Sequence, residues 1–243
     1  MIGLFTDFGL HGPYVGQMKA VLYRGAPGVP VVDLFADAPA FSPRPSAYLL
    51  AAYVEEFPAG TVFLAVVDPG VGTADREPVM LEADGRWFVG PGNGLFEVVA
   101  RRAMHSEAWT IDWRPDRLSA SFHGRDLFAP VAARLAGREA VPGTPRPARD
   151  PRFADWPEEL AEIVYCDHYG NAMTGIRAAA LAGDAVLEVA GRRVARAGTF
   201  GEVGVGEVLW YENANGLAEI AVNQGRANAD LGIGTGTPVT VRA

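Results

Sequence analysis

The chain of 243 residues has little of several things, and each shortage excludes something. It holds one cysteine, Cys166, so no intramolecular disulfide can form, which fits a reducing cytoplasm. Cys166 itself reads as a small buried hydrophobe. Lysine occurs once, at Lys19, and histidine four times, at 11, 105, 123 and 168. No two histidines have metal-ligand spacing, so neither a catalytic metal nor another cofactor is expected. No apolar run is long enough to span a bilayer. The start of the chain reaches Asp7 without a basic lead, unlike a signal peptide. There is no GxGxxG opening a helix, no Walker A loop and no internal repeat. The formal net charge of −8 argues against a nucleic-acid-binding surface.

Apolar residues, by contrast, make up 49% of the chain, enough for a sizeable core. Ile2–Phe5 and Val31–Phe35 read as strands, Thr61–Val67 as a buried strand, and a β-rich stretch covers Val79–Val89. Helical spacing appears over Val15–Tyr23, Ser46–Phe57, Leu95–Arg102 and Asp126–Leu135. This alternation predicts a mainly parallel α/β sandwich at the N-terminus. Gly137–Pro157, rich in proline and aperiodic, reads as a linker. Beyond it, Ala161–Tyr165, Val186–Val189, Val208–Tyr211, Ala218–Val222 and Pro238–Val241 are short β-like runs between turns, predicting a small antiparallel barrel-like domain or sandwich. The expected division is 1–155 and 156–243.

Chemistry-bearing residues sit where apolar runs end, which is where open α/β sheets build sites. In Thr6-Asp7-Phe8-Gly9, Asp7 suits a ribose diol and equally an Asx turn. Asp68 ends a buried run before the Pro69-Gly70-Val71-Gly72 turn, which can return Arg76 towards it, and a surface ion pair is the alternative. In Phe122-His123-Gly124-Arg125-Asp126, His123 supplies a group titrating near neutrality, while Arg125 and Asp126 also read as a helix cap and ion pair. Asp167-His168-Tyr169-Gly170-Asn171 offers an acid for an ammonium, an aromatic for stacking and an amide for a base edge. It reads as readily as a polar β-turn.

Taken together, the segments TDFG at 6–9, VVDPGVGT at 66–73, Arg76, PGNGLF at 91–96, FHGRDLFAP at 122–130, DHYGN at 167–171 and NGLAEIAVNQG at 215–225 resemble one family. It is the S-adenosyl-L-methionine hydroxide adenosyltransferases, the water-using relatives of fluorinase and chlorinase. The resemblance implies an N-terminal α/β domain, a C-terminal β-barrel-like domain, and a homotrimer with each site at a subunit junction. It implies hydrolysis of S-adenosyl-L-methionine to adenosine and L-methionine. Asp68, Arg76 and His123 match the set that handles the attacking water. Asp7 matches the ribose aspartate, Phe41 an aromatic near the sugar, Asp167 the acid near the methionine ammonium, and Asn171 the amide at the adenine. Asn213 falls in the methionine-contacting segment, where Ala214 replaces the usual serine, and Gly92 replaces a common aspartate.

Halogenating relatives carry tyrosine where this chain has Asp68, and a Tyr-Ser pair where it has His123-Gly124. A carboxylate in that pocket suits water and repels a halide. The rival readings are a halide-dependent adenosyltransferase and a non-catalytic protein that binds the nucleoside. Either Asp68 or His123 can be the proton acceptor.

Overall fold

The computed structural model describes residues 1–73 and 76–242. The chain divides into two compact units, 1–155 and 156–243.

The first unit is built on a seven-stranded sheet. Its strands are β1 (Ile2–Thr6), β2 (Val31–Phe35), β3 (Val62–Val66), β4 (Pro78–Ala83), β5 (Arg86–Pro91), β6 (Ser106–Ile111) and β7 (Gly143–Arg146), in the order β2-β1-β3-β5-β4-β6-β7. The helices are α1 (Tyr14–Gly25), α2 (Pro43–Tyr53), α3 (Glu97–Arg102) and α4 (Ala129–Ala136). Side chains alternate across β1 and β3. Ile2, Leu4, Val62 and Leu64 face a core shared with Met18 and Leu22 of α1 and Val131 of α4. On the other face, Phe63 stacks on Phe88, and Phe35 meets Tyr53 of α2 edge-on. α2 begins three residues before the expected Ser46, with Pro43 in its first turn, where the missing N–H costs no hydrogen bond.

The mainly parallel expectation needs correction, because the sheet is mixed. β2-β1-β3-β5 pair in parallel, whereas β5-β4-β6-β7 pair antiparallel. The cause is local. Asp84 and Gly85 adopt φ of 46° and 80°, the two left-handed positions of a tight hairpin turn, so β4 and β5 must run in opposite directions. Gly137–Pro157 is also more than a linker. Gly143–Arg146 closes the sheet edge against β6. The buried Glu97 carboxylate then accepts the Asp150 N–H at 2.9 Å and holds the strap that follows.

The parallel half positions the site. β1 lies between β2 and β3, so the connections leaving β1 and β3 diverge from a switch point in strand order. A crevice opens there, outside the carboxyl ends of the strands. Asp7 follows β1 directly, and Asp68 lies two residues beyond β3.

The second unit contains β8 (Leu160–Cys166), β9 (Ala172–Arg177), β10 (Val186–Val189), β11 (Arg192–Val194), β12 (Val208–Glu212), β13 (Leu217–Val222), a single helical turn α5 (Ala227–Asp230) and β14 (Val239–Arg242). They form two antiparallel sheets, β12-β13-β9-β8 and β11-β10-β14. The sheets touch through the isolated bridges Glu162–Pro238 and Arg196–Trp210, and no continuous ladder closes a barrel among the described residues. Between them lies a core containing Ile163, Leu187, Trp210 and Ile220, with the Trp210 indole N–H donating to the Ala185 carbonyl at 2.8 Å. No helix among the described residues is long and apolar enough to cross a membrane.

Candidate active site

Asp68, Arg76 and His123 come together in the first unit. Arg76 Nε donates to Asp68 Oδ1 at 2.8 Å, and its Nη2 touches both Asp68 Oδ2 and, at 2.8 Å, His123 Nδ1. The Asp68 and Arg76 side chains are 5% and 7% exposed, which excludes the surface ion-pair reading. The Arg76 guanidinium also lies over the buried Phe128 ring, 5.6 Å from its centroid.

Several backbone devices hold this centre. Gly72 has φ of 82°, and a Cβ there would lie 2.7 Å from the Ala120 carbonyl, so the 68–73 loop packs against the loop preceding His123. Asn93 Nδ2 donates to the Val67 carbonyl at 2.8 Å and fixes the residue before Asp68. His123 precedes a turn of π-helix, Gly124–Phe128, a local widening common at functional sites. Arg125 and Asp126 pair with each other. Asp126 caps the Ser119 N–H at 2.9 Å, and Arg125 reaches Gln17 of α1. The cap and ion-pair reading of these two residues therefore describes them.

Burial lifts the Asp68 carboxyl above the usual aspartate value, against the opposing pull of Arg76. Burial, and then Arg76, push the His123 imidazole below its ordinary value, with Asp68 and Asp126 opposing. The geometry also assigns the imidazole proton. A guanidinium only donates, so His123 Nδ1 accepts from Arg76, and the neutral ring carries its proton on Nε2.

The centre faces a cavity of about 370 Å³ lined by Asp7, Phe8, Tyr14, Phe41, Val66, Asp68, Val71, Ser121, Phe122, His123 and Gly124. This volume falls in the range of small-molecule pockets. Asp7 Oδ2 accepts the Phe41 N–H at 2.9 Å, leaving lone pairs for other donors. Burial raises its carboxyl above the ordinary value. Phe41 has φ of 58°, a left-handed conformation that costs a bulky residue energy, and the residue is 76% exposed. Elsewhere on the cavity wall Tyr14, Phe8 and Phe122 form an aromatic cluster, with Phe122 edge-on to each of the other two.

In the second unit, Asp167 and Asn171 close the β8–β9 hairpin loop. The Asn171 N–H donates to Asp167 Oδ1 at 2.9 Å, and Asn171 Nδ2 lies 3.4 Å from Oδ2. Tyr169, at the tip, is 71% exposed. Asn213 opens the β12–β13 turn. Its Oδ1 accepts the N–H groups of Asn215 and Leu217, each at 3.0 Å, and its Nδ2 donates to Glu219. Asn213 is thus mostly spent on its own turn, with one amide hydrogen left to offer.

Sequence reading had singled out neither Asn93 nor Glu219. Glu219 had a signal, a lone acid inside the otherwise apolar run Leu217–Val222. No group of three or more histidine, cysteine, aspartate or glutamate side chains suited to a metal ion occurs among the described residues.

Comparison with known proteins gives one consistent family. Residues 2–143 match the model of the SAM hydroxide adenosyltransferase N-terminal domain, and residues 161–240 that of the C-terminal domain. The chain is 43% identical, over 96% of each sequence, to a protein of Thermus thermophilus named (R)-S-adenosyl-L-methionine hydrolase. It is 38% identical to one of the same name from Salinispora arenicola, over 100% of this chain and 97% of that one. Among solved structures, an uncharacterised conserved protein from Thermotoga maritima superposes with a TM-score of 0.88 at 31% identity, covering 100% of both chains.

Proposed function

This chain belongs to the SAM hydroxide adenosyltransferase family, and we propose that it hydrolyses S-adenosyl-L-methionine by attack of water on the ribose 5′-carbon, giving adenosine and L-methionine. The observation that carries the reading is the buried Asp68–Arg76–His123 chain opening onto a nucleoside-sized cavity that also holds Asp7.

The sulfonium is already a good leaving group, so departure needs neither a metal nor a general acid. The difficulty lies in the nucleophile. A water in line with the C5′–S bond forms C5′–O as C5′–S breaks, sulfur keeps the bonding pair, and one proton must leave the oxygen. Positioning that water supplies much of the rate. With its proton on Nε2, His123 is a donor towards the water oxygen and steadies developing hydroxide. That leaves Asp68 as the acceptor. Arg76 contacts both of its oxygens, yet each keeps a lone pair, and its raised pKa makes it a stronger base than an ordinary aspartate. In this reading Asp7 holds the ribose diol and Phe41 packs on the sugar. Asp167, Tyr169, Asn171 and the remaining Asn213 hydrogen serve methionine and adenine.

The assembly we propose is a homotrimer in which residues of one subunit complete the site of its neighbour. The exposed Phe41 and Tyr14 at the cavity rim support it, as surfaces short of a cover. The lone cysteine fits a cytoplasmic setting.

The test is chromatography of purified protein incubated with S-adenosyl-L-methionine. Adenosine and methionine should form with chloride absent and a strong chelator present. A 5′-halogenated nucleoside appearing only with halide would give the alternative chemistry, and absence of any product would leave a binding protein. Light scattering should give three times the chain mass, and a fully active single chain would refute the shared site.

A further inference from the structure

The turn Pro91-Gly92-Asn93-Gly94 grips the main chain on both sides of the Asp68–Arg76 pair. Asn93 Nδ2 donates to the Val67 carbonyl at 2.8 Å, and Val67 immediately precedes Asp68. One residue earlier, the Gly92 N–H donates to the Glu77 carbonyl at 2.8 Å, and Glu77 immediately follows Arg76. Both members of the ion pair therefore hang from neighbouring residues of one turn. Glu77 is itself tied down, its Oε2 accepting from Arg146 Nη1 at 3.0 Å and from Thr110 Oγ1 at 3.2 Å.

The sheet brings the turn to this place. β5 runs parallel to β3, and their last registered pair is Val89 opposite Leu64. Beyond it, Gly90 passes so close that a Cβ would lie 2.0 Å from the Ala65 carbonyl, so only glycine lets β5 follow β3 to its end. The pairing of β3 with β1 stops at Val66. Val67 thus lies past the last registered pair on either side, yet it is fully buried. A buried carbonyl needs a donor, and the Asn93 amide supplies it.

Two main-chain partners settle which way that amide faces. Its Oδ1 accepts the Leu95 N–H at 3.3 Å, an Asx turn within the same segment, and this leaves Nδ2 for the Val67 oxygen. Neither partner can exchange roles. An aspartate at 93 keeps the turn but sets a second acceptor against the Val67 carbonyl. A serine keeps the turn more weakly and is too short to reach across to β3.

We propose that Asn93 is a positioning residue for the hydrolysis, setting the Asp68 carboxylate on the attacking water by holding the main chain one residue before it. This rests on the reading of Asp68, Arg76 and His123 as the centre that handles the water. Asn93 lies outside the lining of the cavity and acts through Val67.

Adenosine formation by the full chain carrying Asn93→Ser or Asn93→Asp tests the assignment. Turnover should fall roughly tenfold to a hundredfold in both, the scale of a reacting group displaced by up to about 1 Å. KM for S-adenosyl-L-methionine and the calorimetric affinity for adenosine should stay near their wild-type values, because Asp7 and Phe41 are untouched. A second readout needs no turnover. His123 Nδ1 accepts from Arg76, so a displaced ion pair should move the His123 imidazole nitrogen resonances in Asn93→Ser. A contact that serves the fold alone would lower the melting temperature and leave turnover and those resonances in place. Wild-type turnover in either folded variant, or unshifted His123 resonances, would therefore overturn the assignment. So would a loss of turnover matched by an equal loss of adenosine affinity, or failure of both variants to fold. A wild-type protein that forms no adenosine fails at the hydrolase reading and takes the positioning role with it, whereas an active enzyme indifferent to Asn93 leaves that reading standing.

Discussion

The two units each bury a carboxylate, and they satisfy it in opposite ways. Asp68 in the first unit lies against a guanidinium, with two contacts from Arg76. Glu219 in the second is held by a phenol and an amide. Both carboxyls sit above their ordinary values, burial being the largest cause in each case, but only Asp68 has a cation to oppose that rise. An ion pair is stiff about charge, since removing one member strands the other. A carboxylate among neutral donors is stiff about direction, since it decides which end of each amide faces it. The first arrangement suits a group that must take up and release a proton, and the second a group that keeps its neighbours aligned.

Substitution should separate the two roles most sharply. Asp68→Asn leaves the Arg76 charge buried without its partner, so unfolding free energy should fall by about 3–5 kcal/mol. Turnover should fall by a factor on the order of 10²–10⁴. Glu219→Gln exchanges one hydrogen-bonding group for another of the same shape and should cost only about 1 kcal/mol. Denaturant midpoints and adenosine formation measure both, and equal stability losses would erase the distinction. Linkage adds a sign. Because the folded-state pKa of Glu219 is raised from 4.5, its favourable term is complete below that value and is lost as pH climbs through the folded pKa. The glutamine variant should lack that decline, so its deficit should be smaller at neutral pH than near pH 4.

Only the first side of this contrast could be read in the sequence, and that unevenly. Asp7 and Asp68 were visible because each directly follows a buried apolar run, and a strand end is where a sheet builds a site. His123 was visible only in company, since a loop histidine beside Arg125-Asp126 is as readily part of a cap, which those two neighbours are. The hairpin of β4 and β5 carried a signal in Asp84-Gly85, and overlooking it turned a mixed sheet into a mainly parallel one. β7 carried none, because an edge strand of sequence Gly-Thr-Pro-Arg has no apolar period, and its place is decided by pairing with β6. β9 is hidden by burial on both faces and by Gly175, where a Cβ would come within 2.6 Å of Leu160. The amide orientation at Glu219 depends on cross-strand register, which no local pattern encodes.

A smaller effect concerns how Arg76 serves the first centre. Arg76 is a lowering influence on His123, second to burial. The imidazole of the wild-type protein should therefore titrate below 6.5 by NMR, and Arg76→Ala should move it upward. The sign carries over to stability. Below 6.5 the unfolded chain binds more protons at His123 than the folded one, so stability should fall as pH drops from that value towards the folded pKa. Activity should follow, because a protonated Nδ1 faces the Arg76 donor and breaks the chain to Asp68. An acid limb above the ordinary histidine value, or one unmoved by Arg76→Ala, would uncouple His123 from the pair.

The smallest expected effect asks whether the cavity rim stores strain for binding. Phe41 holds φ of 58° while its N–H binds Asp7 Oδ2, so the backbone conformation and the ribose aspartate are tied together. Glycine adopts that conformation without the Cβ penalty. Phe41→Gly should relieve about 1 kcal/mol of backbone strain, offset in part by the greater freedom that glycine gives the unfolded chain. The N–H contact to Asp7 should persist, because it needs only the main chain. What disappears is the ring over the cavity. Stability by denaturant should then stay level or rise slightly, while adenosine affinity falls by the loss of one apolar face. If stability drops instead, the exposed ring is packing against something the folded protein needs. The strain would then belong to folding, with no part in holding the sugar.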